Sequence, residues 1–529
     1  MGKRRAVAVL ASALGLALVA GACGSSTSGS STGGGATGGG ASGKAAGYVT
    51  GGTLTQLIPS DPGNLDPLMT VTGVTRGLDY YAYDPLINEE PNGTLVSGLA
   101  TSWKQSGNTY RFTLRKGVTC SDGSTLTPAT VAANINYLSD PAHKSPLLGL
   151  LVPPGAKATA DPATSQLSIT VAQPFPFFFE DLSQVGLVCA KGLADPSSLA
   201  EGTDGSGPYV LSQAVAGQQY TFTIRKGYTW GPGGATTATP GMPAKIVVKV
   251  VADPTTEANL VLGGGANLAN VQGLASKPLS AAHLFQRSAV APLGELWFNE
   301  GPGHATASAK VRQAVVQALD LPQIGQVLGQ GQGTAATGMV TVAPKACPGN
   351  TVAGTIPSQD TAKAASLLGG RHLTLTLLYA TDVGGDPASA FELAAQELRK
   401  VGIDLKLVGD TTTQLESVIF GTGNWDLVDV PIGVDTPNEL VPFVSGPAAP
   451  QGENFSHIAD AAYTALATKA AALPGTTGCT DWNNAEKQLF DALDVVPFEN
   501  ALEPDWGRGV TFSMVAGEIP PTSFRLVKA

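Results

Sequence analysis

The chain has 529 residues, 43% of them hydrophobic and only 14% charged, with a formal net charge of -10. That balance lacks the basic face that nucleic-acid binding requires, so no nucleic-acid partner is expected. The length exceeds what one hydrophobic core supports, and beyond the first residues no apolar run reaches about 18, so two or three lobes that do not span a bilayer are expected.

Lys3, Arg4 and Arg5 precede an apolar stretch, Ala6 to Ala20, that is short for a membrane span. Ala20, Gly21 and Ala22 are small, and Cys23 follows at once. Residues 1–22 resemble a bacterial lipoprotein signal peptide, with Ala20 where Leu is usual. The resemblance implies lipid on Cys23, a membrane partner through that lipid, and a place on the outer face of the plasma membrane. The plainer alternative is a secretory signal with a chance cysteine. Residues 23–48 are rich in Gly, Ser and Thr and read as a tether with a mean reach of about 25–30 Å. Gly29-Ser30-Ser31-Thr32-Gly33 fits GxSxG, and Gly38 to Lys44 resembles the start of a phosphate loop. Each motif needs a strand-turn-helix setting that a small-residue tract does not supply, so neither is taken as a site.

From Gly51 onward strands and helices alternate. Thr53 to Ile58 reads as a strand, and Pro59 to Asn64 as a turn. Tyr110 to Arg115 alternates apolar and polar residues, as a half-buried strand does. Thr127 and Pro128 open a helix as N-cap and first residue, with Val131, Ile135 and Leu138 on one face. Gln166 to Ala172 and Gln219 to Arg225 read as strands, and the apolar Ile246 to Val251 as a strand covered on both faces. Lys310 to Leu319 and Ser389 to Val401 carry helical periodicity. Gly402 ends the second of these and Ile403 to Val408 begins a strand, the pattern of an α/β crossover. A mixed sheet flanked by helices should follow.

Cys120, Cys189, Cys347 and Cys479 remain if Cys23 carries lipid. An even set in an exported chain suggests disulfides, and four cysteines allow three pairings. The five histidines are scattered without ligand spacing, so neither a metal site nor a cofactor is expected.

In order along the chain stand Gly51-Gly52-Thr53-Leu54-Thr55, Tyr83-Asp84-Pro85-Leu86, Gly98 to Trp103, Tyr110 to Val118 with Ser121-Asp122-Gly123, Gly205 to Tyr209, Val311 to Ala314 and Trp425-Asp426-Leu427. Together these segments resemble the family 5 extracellular solute-binding proteins of ABC importers. Departures are Cys120 where an aromatic is usual, Thr130 for an acidic residue, Asp320-Leu321-Pro322, and the bland loop Gly231 to Met242.

The resemblance implies an α/β two-lobe periplasmic-binding-protein clamp, type II, of the large peptide-binding subclass, with mixed sheets and a two-strand hinge. A proximal lobe would cover residues 49–291 with an extra subdomain, a distal lobe 292–495, and a return to the proximal lobe 496–529. The crossings would lie at Glu295 to Asn299 and near Val496 to Phe498. Pairing Cys120 with Cys189 and Cys347 with Cys479 would then keep each disulfide inside one lobe. Ile432 to Asn438 matches the stretch in which peptide-binding members carry an Asp that neutralises the peptide ammonium. Asp435 holds that Asp's place, although Ile432, Thr436 and Asn438 replace its usual neighbours. An exposed turn carboxylate is the competing reading. Trp297 and Asn299 share one side of the crossing strand, as an aromatic wall and polar handle of the cleft or as core. Trp425 reads as core, and Pro174 to Phe179 as a strand end in the core. The function implied is non-enzymatic: a monomer that captures a solute, most simply a short peptide, and delivers it to the transmembrane subunits of an ABC permease. A sugar, opine, metal chelate or amphiphile as ligand, or a sensor or scaffold without a permease, are the other readings. A hydrolase would need a nucleophile-base constellation, and the only GxSxG lies in the tether.

Overall fold

The computed structural model describes residues 47–173, 175–381 and 384–528. Cys23, the tether with its two near-motifs, and Pro174 lie outside them. Thr53–Ile58 is a strand whose Leu54, Leu57 and Ile58 are buried. It pairs in parallel with Lys245–Val250 and Leu268–Asn270. Gln219–Ile224 and Tyr209–Val215 extend this side of the sheet. The strand expected over Ile246 to Val251 forms at Lys245–Val250, but only Ile246 and Val248 are fully covered while Lys245 and Lys249 are exposed. Its lysines alternate with the buried residues, so it is covered mainly on one face, a correction to the two-sided expectation.

A second, four-stranded antiparallel sheet contains Ala100–Ser106, Thr109–Leu114, Gln166–Thr170 and Lys157–Asp161. Helix Pro128–Ser139 packs on it with Val131, Ile135 and Leu138 fully buried. Thr127 caps this helix by accepting the Thr130 amide at 3.2 Å.

Beyond residue 298 helices alternate with strands, and Leu373–Ala380 pairs in parallel with both Ile403–Asp410 and Leu427–Asp429. Helix Ala309–Ala318 buries Val311, Ala314 and Val315. Strand Leu373–Ala380, helix Pro387–Arg399 and strand Ile403–Asp410 form the expected crossover, the two strands being parallel neighbours. Gly402 makes the turn between them at φ 94°, a conformation that suits glycine. Asp320, one of the departures, caps helix Leu321–Leu328 by accepting the Gln323 amide at 3.1 Å.

Two long strands join the halves. Phe285–Phe298 pairs antiparallel with Val495–Gly507, from Phe285 opposite Gly507 to Trp297 opposite Val495. They make one 11-stranded sheet run through both lobes. The register shifts around Pro292, Gly294 and Glu295. At Gly294 a Cβ would lie 2.5 Å from the Phe498 ring, so the bulge needs glycine. One large apolar cluster lies on the N-terminal side of these strands and takes in Val510 to Leu526, and two others lie on the far side. The fold is therefore a two-lobe clamp on a two-strand hinge. Cys120–Cys189 and Cys347–Cys479 are the disulfides, each within one side, as the sequence reading paired them. Among the described residues no helix is long and apolar enough to cross a membrane.

Candidate functional site in the cleft

Three segments meet where the lobes face each other. Helix Gly73–Ala82 supplies Arg76, Asp79 and Tyr80, the chain after Phe177 supplies Asp181 and Gln184, and the distal lobe supplies Asp435 to Glu439. The distal segment is held from below. Glu295 Oε2, on the crossing strand, accepts the Ile432 amide at 2.7 Å, and the Val434 carbonyl accepts the Thr341 amide at 3.1 Å. Asp435 is thereby fixed at 5% exposure. The Gln184 amide nitrogen donates to both Asp435 carboxylate oxygens, at 3.1 and 3.0 Å. Arg76 in turn donates to the Gln184 carbonyl oxygen at 2.7 Å, which orients the amide toward Asp435. Asp181, fully buried, accepts long contacts of 3.4 Å from Thr436 and Asn438. Glu439 accepts the Asp435 backbone amide at 3.3 Å.

The cluster is short of positive charge. Burial, then the charges of Asp435 and Glu180, push the Asp181 carboxyl well above the usual carboxylate range. Glu439 is raised likewise, by burial first and then by Asp435 and Asp181. Burial, then Asp435 and Glu180, bring Glu89 up to about 7. Arg76 lowers Glu439 only in part. A cationic group between Asp435, Glu439 and Asp181 would relieve these penalties, because buried like charges favour either protonation or a counter-ion.

Two small cavities of about 20 and 40 Å³ adjoin the cluster on its proximal side. They share Tyr80, Tyr83, Pro85 and Ser183.

Comparison with known proteins fits this geometry. Residues 94–445 match the model of the bacterial extracellular solute-binding proteins, family 5. The chain belongs to that family. Relatives of this solute-binding protein include the Escherichia coli K12 periplasmic murein peptide-binding protein MppA, 24% identical over 496 residues, covering 84% of this chain and 87% of that one. The glutathione-binding protein GsiB of the same strain is 25% identical over 392 residues, covering 68% and 70%. A substrate-binding protein from Microbacterium hydrocarbonoxydans, solved with 4-hydroxybenzoate hydrazide, superposes with TM-score 0.76 at 28% identity, covering 90% of this chain and all of that one. The dipeptide-binding protein of Pseudoalteromonas sp. SM9913, with Met-Leu, shares the fold at TM-score 0.74 and 18% identity, covering 90% and 100%.

In this solute-binding protein, several residues singled out from the sequence have structural work. Trp297 is fully buried against Phe455, its indole nitrogen donating to the Val430 carbonyl at 2.8 Å. Asn299 donates to the Gly423 and Trp425 carbonyls at 3.2 and 3.0 Å and accepts the Gly301 amide. Both are buried with their donors spent on backbone carbonyls, so the aromatic wall and polar handle expected of them give way to a core assignment. Trp425 is core, as expected. The aromatic run ends in a short helix, Phe178–Asp181, instead of a strand. Phe177 packs in the distal cluster and Phe178 in the proximal one. The family segments also meet as scaffold. Asp84 accepts from Tyr228, Ser206 and Trp230 at 2.6, 2.7 and 2.9 Å. Arg312 pairs with Glu300 and Asp494. Cys120 departs from the aromatic because it is tied to Cys189.

Sequence reasoning reached Asp435 and missed Gln184, Arg76, Asp181 and Glu439. Glu439, four residues after Asp435, was within reach of a local reading. The others join the site only through tertiary contact.

Proposed function

We propose that this solute-binding protein captures a short peptide between its lobes, with Asp435 as the anchor of the peptide α-ammonium. The observation that carries the reading is the Gln184–Asp435 bridge across the cleft, beside Asp181 and Glu439, where an N–H donor already occupies the place of an ammonium. A ligand bridging both lobes favours the closed arrangement by its differential affinity for it. The family and the peptide-binding relatives support delivery of the ligand to an ABC permease. The signal-like start supports lipid on Cys23, with residues 23–48 as tether and a monomeric clamp beyond. Lobes of 49–291 and 292–495, with 496–529 returning, belong to the same reading.

The test is a thermal-shift screen of residues 49–529, unfolded and refolded to strip carried-over ligand, against di- to octapeptides, oligosaccharides, metal chelates and aromatic hydrazides. Ligand at 100 times its dissociation constant adds about 2.7 kcal/mol. Peptide hits are expected. Hits confined to sugars, chelates or hydrazides would keep the clamp and overturn the peptide assignment.

A further inference from the structure

The aromatic run Phe175 to Phe179 divides between the two lobes. Phe175, Phe178 and Phe179 stay with the proximal four-stranded sheet. The Tyr110 hydroxyl donates to the Phe175 carbonyl at 2.8 Å. Phe178 and Phe179 set their rings edge-on to Tyr110, at centroid distances of 4.9 and 5.3 Å, and Phe179 meets Phe112 at 5.8 Å. Phe177 alone turns the other way. Its side chain is fully buried and belongs to the distal cluster that contains Tyr463, Ala470, Trp482 and Phe490.

This contact is made away from the hinge strands. The Pro176 carbonyl accepts the Gly475 amide at 2.9 Å, and Gly475 lies in the link between the distal helices Ala461–Ala471 and Cys479–Asp491. Beside that bond the lobes part again, and Phe175 and Pro176 face Leu473 and Pro474 across a crevice of about 500 Å³. Farther along the same segment, Asp181 accepts from Thr436 and Asn438, and Gln184 donates to Asp435. The Phe177 carbonyl accepts the Asp181 amide at 2.8 Å, which ties these contacts into one turn of backbone. Opening about the two hinge strands would separate the whole set. Within it, Phe177 is the member that takes a large apolar side chain out of water, so it contributes most to holding the lobes together.

We propose that residues 175–184 form a closing strap with Phe177 as its bolt, which holds the clamp shut with no ligand between the lobes. A ligand enters only when Phe177 leaves the distal cluster. The inference goes beyond the peptide reading and does not depend on it.

The test is small-angle X-ray scattering of the refolded, ligand-free protein. The wild-type curve is expected to fit the closed structure. In Phe177→Ala the closed-to-open ratio should fall about 10- to 100-fold, seen as a larger radius of gyration. Phe177→Leu keeps most of the apolar area and should scatter as the wild type does. A merely structural Phe177 would lower the melting temperature and leave the radius unchanged. Leu473→Asp puts a charge on the distal side of the strap, at a half-buried position, and should expand the protein independently, so a poorly folded Phe177→Ala does not block the test. A ligand-free wild type already more extended than the structure, or folded variants that keep its radius, would overturn the strap. Neither result bears on the peptide reading, which the ligand screen decides.

Discussion

Replacing Asp435 by alanine should separate ligand affinity from stability. In the ligand-free protein the change removes the two bonds from the Gln184 amide, which at a charged acceptor are worth about 1.5–3 kcal/mol net. It also removes a charge that pushes up both Asp181 and Glu439. The two effects oppose each other, so the ligand-free protein should change in stability by no more than about 1 kcal/mol. The bound state has no such compensation. Truncating one partner of a buried, hydrogen-bonded charge pair costs about 2–5 kcal/mol, or roughly 30- to 4000-fold in Kd. Titration calorimetry on a peptide hit reads the affinity and a thermal melt without ligand reads the stability. A Kd within threefold of wild type would refute the anchor. A large fall in the ligand-free melting temperature would instead make Asp435 a structural residue.

Four further outcomes are expected. Burial brings Asp505 and Glu518 up to about 7 and Asp429 up to about 8, so the folded protein holds protons that the unfolded chain releases near pH 4. Stability from these groups is complete below their unfolded values and is lost as pH rises through about 7–8. At up to about 1.4 kcal/mol per pH unit for each group, melting temperature should climb by a few degrees from pH 7.5 to pH 5.5, and a flat or inverted profile would contradict the burial argument. The disulfides close separations of 69 and 132 residues, so reduction should cost on the order of 4–5 kcal/mol each, seen as a lower denaturation midpoint in dithiothreitol. Trp297→Phe should lower stability, through the lost bond to Val430, and leave peptide affinity unchanged in titration. Cys23→Ser should release the protein from the cell envelope into the medium, as fractionation and blotting would detect.

Local patterns carried the fold a long way. Thr127-Pro128 announces a helix start because a hydroxyl cap and a residue without an N–H suit the first turn, and the helix begins there. The Gly402 junction is legible because a positive φ selects glycine. Trp297 shows where pattern stops: a period of two places it with Asn299 on one side of a strand but does not say whether cleft or core lies there. Here Phe455 packs on Trp297, and Trp425 packs on Phe455. Asp435 came through the family resemblance. Its partner Gln184 lies 251 residues away in sequence, and no local pattern ties the two.

The most direct test of the central claim is calorimetric titration of one peptide hit in two forms, with a free and with an acetylated N-terminus. Acetylation removes the positive charge and leaves every side chain in place. The account predicts that the free form binds and the acetylated form loses at least about 30-fold in affinity. Equal affinity for the two forms would contradict an ammonium anchor at Asp435.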